Sequence, residues 1–154
     1  MSGLYQLRKE IRTLLLQDGL WSNDEVIIKR RTNLWNTVAT AIGASEAGQC
    51  IVVGVAKGSP HSTQRKGSKN LIMEVTIPIT LVELPGVDPE EYQAPDGSDE
   101  DSRWEDTVMR LLGEPLGRSA ETYELDFDGF EDLVDEEYVI RQTTFKTKLM
   151  LKPR

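Results

Sequence analysis

Apolar residues recur at helical spacing near the start of the chain. Leu4, Leu7, Ile11, Leu14 and Leu15 share one face over 4–17, and the charges fall on the other side. Ser2 is placed as the N-cap of this helix and Gly19 as its stop. EVIIKRR, 25–31, reads as a short strand. Asn33 then caps a second helix with Leu34, Val38 and Ile42 on one face, and Gly43 and Gly48 punctuate its end. CIVVGVA, 50–56, is a nearly continuous apolar run, the pattern of a central strand. Residues 57–70 contain no large apolar side chain and are expected to form a flexible excursion. Strict alternation returns at 71–83, where Leu71, Met73, Val75, Ile77, Ile79 and Leu81 share a face. Pro78 lacks an N–H, so this strand is expected at an edge or bulged there.

The stretch 85–102 combines Pro, Gly and like charges, which resist burial, and is expected to be a loop. A short helix follows over about 102–113. Ser102 and Glu105 fit a capping box, and Trp104, Val108, Leu111 and Leu112 form the apolar face. The last strand runs over 138–151, with Val139, Phe145, Leu149 and Leu151 on one face and Thr143 and Thr147 between them. A small strand is placed near 122–127. The pattern predicts a single α+β domain over 1–154: a mixed, mostly antiparallel sheet with two or three helices packed on it and long polar loops at 57–70 and 85–102. The length of 154 residues suits one domain and is enough to bury a core without metal or disulfide.

The net charge of −8 hides an uneven distribution. Residues 88–106 hold nine acids and one base, Arg103, and residues 121–137 hold nine acids and no base. The other 118 residues carry eight acids against seventeen bases. The net charge argues against general nucleic-acid or membrane binding, and within it the chain reads as a basic body with two acidic segments. No apolar run approaches the roughly 18 residues needed to cross a bilayer. Arg8, Lys9, Glu10 and Arg12 interrupt the first apolar stretch, so it does not read as a secretory signal.

Candidate chemistry is sparse. The single cysteine, Cys50, opens an apolar strand and reads as a small core residue, and it excludes an intrachain disulfide. The single histidine, His61, lies in the polar excursion. One Cys and one His cannot assemble a usual zinc site. Neither phosphate-binding glycine motif is present, and no acid stands two residues before a lysine, as one metal-nuclease pattern requires. In ELDFDGFEDLVD, 124–135, Glu124, Asp126, Asp128, Gly129, Asp132 and Asp135 fall at offsets like those of a calcium loop. Glu at the first position and the short Asp at the last depart from it, and an adventitious acidic loop is the preferred reading. No cofactor and no enzymatic activity are expected.

Taken together, LYQLRKEIRTLLLQDG, IVVGVA with its polar excursion, LIMEVTIPITLVE, SRWEDTVMRLLGEPL and YVIRQTTFKTKLML form a layout that resembles the tail terminator or tail-completion proteins of tailed bacteriophages. The insert at 85–102 and the second helix depart from that layout. The resemblance implies a structural virion protein, assembled in the host cytoplasm and located at the tail or neck. It implies a ring, commonly sixfold, that contacts further copies of itself, the tail tube protein and the head–tail connector, and through which DNA passes without specific binding. The alternatives are another head-completion protein or an acidic host-directed inhibitor. The expected partner-facing residues are Lys57, Arg65, Lys66 and Lys69 on one loop, and Asp88, Glu90, Glu91, Asp96, Asp99, Glu100 and Asp101 on the other.

Overall fold

The computed structural model describes residues 3–28, 34–67, 69–84, 102–116, 123–134 and 137–151. The expected caps Ser2 and Asn33, the side chain of Ser102, and the acidic insert at 85–101 lie outside the described residues.

The first helix, α1, spans Gly3–Leu16. Leu7, Ile11 and Leu15 are fully buried and Leu14 nearly so, as the spacing predicts. A 3₁₀ turn over Gln17–Gly19 ends it, with Asp18 and Gly19 at positive φ. Next come β1 (Val26–Ile28), α2 (Leu34–Ala44), β2 (Gln49–Val53), β3 (Lys57–Pro60), β4 (Leu71–Glu83) and α3 (Ser102–Leu111). The chain closes with β5 (Pro115–Leu116), β6 (Tyr123–Glu124), β7 (Asp126–Val134) and β8 (Val139–Leu151).

The fold is α+β. Its main sheet has the order β1-β2-β4-β8-β7, with β3 also paired to β4. Among the described strands of this sheet only β1 and β2 run parallel, and the other pairs are antiparallel. The two 13-residue strands β4 and β8 pair along their full length and form the backbone of the sheet. One face of the sheet carries Ile51, Val53, Val75, Ile77, Ile79, Leu81, Phe145 and Leu149, covered by α1 and α3. The opposite face is apolar only at one end, where Cys50, Val52, Val82 and Ile140 pack under α2 with Val38, Ala41 and Ile42. Strand β2 is thus buried on both faces, which is why its sequence is apolar without alternation. At the other end the second face is an open polar surface bearing Glu74, Thr76, Lys146 and Lys148.

Four expectations change. Residues 57–60 form β3 on β4, and 61–64 close a turn in which the His61 N–H donates to the Ile72 carbonyl at 2.9 Å. The stretch 57–70 is therefore a strand and an ordered turn at its start, where polarity alone suggested a free excursion. Second, β4 is an interior strand despite Pro78. Strands β2 and β3 lie end to end along one side of β4, and Pro78 faces the gap between them. There Gly54 N–H donates to the Pro78 carbonyl at 2.8 Å, and no donor is required of the proline. A Cβ on Gly54 would lie 2.6 Å from Pro78 Cγ, so glycine permits this crossing.

Third, the acidic string at 126–134 is a nine-residue strand rather than a loop. It pairs with β8 through a register shift between Phe127 and Phe130, where Gly129 adopts φ 116°. Fourth, α3 buries Leu111 but leaves Leu112 exposed, because the helix ends at Leu111.

Candidate functional site

The most strongly organised polar cluster is internal. Glu25 and Arg103 form a two-pronged ion pair, with Arg103 Nη2 2.6 Å from Glu25 Oε1 and Nη1 3.1 Å from Oε2. Both side chains are less than a tenth exposed. Arg103 also donates to the Leu20 carbonyl and to Gln49 Oε1, each at 3.1 Å. Glu25 accepts from the Ser22 N–H at 2.9 Å and the Ser45 hydroxyl at 2.6 Å. The guanidinium stacks over Trp21 at 3.7 Å, and Trp21 donates to Thr107 on the next turn of α3. Burial pushes the Glu25 carboxyl upward, but Arg103, Ser45 and the Ser22 amide outweigh it and hold the pKa below its ordinary value. This cluster joins the segment 20–25, which connects α1 to β1, with Ser45 after α2, Gln49 on β2 and α3. Every strong donor is directed at a protein acceptor, so it serves as a clamp and has no open position for a substrate.

A second arginine missed by sequence reasoning is Arg8. It sits on α1 among charges assigned to the outer face, yet it is buried and donates to the Val53 carbonyl at 3.0 Å. It thereby satisfies the backbone where β2 stops.

The candidates for nucleophilic chemistry stay apart in role. Cys50 is fully buried, and burial, reinforced by Glu25, pushes its thiol up to about 12, so it is protonated at neutral pH. His61 belongs to the surface turn, where its Nδ1 accepts from the Thr63 N–H at 3.2 Å. Among the described residues no three His, Cys, Asp or Glu side chains converge on a common metal position. Strand formation explains this for 126–134, since alternating side chains cannot wrap one ion. A groove of about 330 Å³ between β1 and α2 contains Asp24 as its one titratable lining residue.

Two groups of exposed charges lie at opposite sides of the sheet. Lys57, on β3, is exposed, as are Arg65, Lys66 and Lys69 in the turn that follows. The seven expected acids of the insert, Asp88 to Asp101, lie outside the described residues. On the far side, β7 exposes Asp126, Asp128, Glu131 and Asp132 together with Phe127, Phe130 and Leu133. Asp128 pairs with Lys146 at 3.4 Å, and Asp132 holds Arg141 through two contacts at 2.7 and 3.0 Å. Arg141 in turn stacks on Trp104 and Phe130. An acidic and apolar strand edge therefore stands where an acidic loop was expected.

Compared with known protein families and with curated proteins, the chain matches none. Among the described residues, no helix is long and apolar enough to cross a membrane.

Proposed function

We propose that this chain is a structural subunit of a tailed-phage virion, a tail terminator or tail-completion protein that forms a ring joining the tail tube to the neck. The observation that supports the reading best is the placement of charge. The interior charges are committed to holding the fold together, whereas the two sides of the sheet present opposite charges to solvent. A ring subunit needs two different surfaces that complement each other. The layout of elements quoted above supports the specific family. Walls of negative charge would also let DNA pass without adhering.

The test uses phage tail tubes that lack their terminal ring. Adding the purified chain should place a closed ring on one tube end, seen by negative-stain microscopy, and should stop further elongation. Bare tubes that keep lengthening would overturn the reading.

A second reading gains from β7. An acidic inhibitor that imitates DNA needs carboxylates on a rigid element, and β7 supplies four. Lys146 and Arg141 neutralise two of them, which weakens the imitation. Tight binding to a DNA-binding protein of the host, competed away by duplex DNA, would favour this alternative.

A further inference from the structure

The register across the sheet places Lys57, Thr76, Lys146 and Asp126 in one row, running from β3 through β4 and β8 to β7. The row lies on the open polar face and begins with a cation at one edge and ends with an anion at the other. The two ends are separated by three strand spacings, about 14 Å. At that separation they cannot pair within one chain. The flanking residues repeat the asymmetry: Arg65 and Lys66 follow β3, while Asp128 and Glu131 belong to β7.

We infer that the β3 edge of one copy docks on the β7 edge of a second copy, head to tail, with Lys57 meeting Glu131 and Arg65 meeting Asp126. This rests on the ring reading and supplies its contact. Charge complementarity selects the occupant. Two β7 edges would repel, as would two β3 edges, so the like-with-like dimer is disfavoured and the repeating contact is favoured. Strand direction agrees. Strands β3, β4, β8 and β7 alternate antiparallel, so a neighbouring copy in the same orientation lays its β3 antiparallel to β7. Pro60 in β3 and the bulge at Gly129 in β7 limit main-chain pairing at this contact. Side chains therefore carry it, with exposed Phe127 and Phe130 on β7 supplying apolar area and the charges setting register.

The experiment is a charge swap, read by mass photometry and native mass spectrometry, with circular dichroism to confirm folding. Lys57→Glu with Arg65→Glu should weaken association by about tenfold or more, and so should Asp126→Lys with Glu131→Lys. The chain carrying all four substitutions should regain association to within about threefold of the native chain. As a second readout, a Lys57→Cys, Glu131→Cys chain should form interchain disulfides under mild oxidation, its own Cys50 being buried. Native oligomers that survive both reversals, or a swap without recovery, would overturn the docking surface and leave the ring reading standing. Oligomers that obey the swap but do not cap tail tubes would uphold the contact and overturn the ring reading. A native chain that stays single at every concentration would overturn both.

Discussion

Two arginines in this molecule have nearly the same partners and very different consequences. Arg103 holds Glu25 with two hydrogen bonds and stacks on Trp21, and Arg141 holds Asp132 with two hydrogen bonds and stacks on Trp104. The first pair is 9 and 8 % exposed, the second 22 and 47 %. In the interior, water cannot replace a lost partner, and the surviving charge is left in a poorly polarisable site. At the edge of the sheet, water replaces it at little cost. Chemistry that looks alike in a contact diagram is therefore a clamp in one place and a surface feature in the other.

The largest effect is expected from breaking the inner pair. Glu25→Gln leaves Arg103 buried without a counter-charge and should cost about 3–5 kcal/mol in denaturant unfolding. The double change Glu25→Leu with Arg103→Met should recover part of that loss, since neither charge then remains. If the double change is as damaging as the single, the clamp acts through its hydrogen bonds to Ser45 and Gln49 more than through charge. Leu7→Ala, on the buried face of α1, gives the apolar yardstick at about 2–5 kcal/mol. Gly54→Ala forces a contact with Pro78 and should cost about 1–3 kcal/mol. Asp132→Asn, at the outer pair, should change stability by no more than about 1 kcal/mol.

Acid sharpens the contrast. The folded pKa of Glu25 is depressed, so its contribution is fully present above the unfolded value of about 4.3 and is lost as pH falls through the lower folded value. Asp132 is also held low, by Arg141, but its exposure makes the stake small. Unfolding measured between neutral pH and acid should therefore lose much of its pH dependence in Glu25→Gln and little in Asp132→Asn. An unchanged slope in the first variant would show that Glu25 is not a principal acid-sensitive group.

The sequence made some of this visible. Period-two alternation located β4 to the residue, and helical spacing located the buried face of α1. The β7 edge was hidden for a physical reason. The bulge at Gly129 shifts phase, so Phe127 pairs opposite Phe145 and Phe130 opposite Thr143 on one face, three residues apart. An alternation test fails across such a shift, and the local density of like charges then suggests a loop. The inner clamp was hidden by distance, since 78 residues separate Arg103 from Glu25. One signal did exist: Arg103 is the single base among nine acids over 88–106, at the start of an amphipathic helix. Pro78 misled because an interior strand can tolerate proline where the neighbouring strand is interrupted.

The central functional claim is that exposed opposite charges drive association while buried charge holds each subunit together. Sedimentation velocity of the native chain across a salt series tests it most directly, because salt screens exposed charges over about 8–10 Å and reaches buried ones poorly. The expected result is a closed oligomer at low salt that dissociates into folded monomers as salt rises, with the circular dichroism spectrum unchanged. A monomer at every salt concentration, or an oligomer indifferent to salt, would contradict the account.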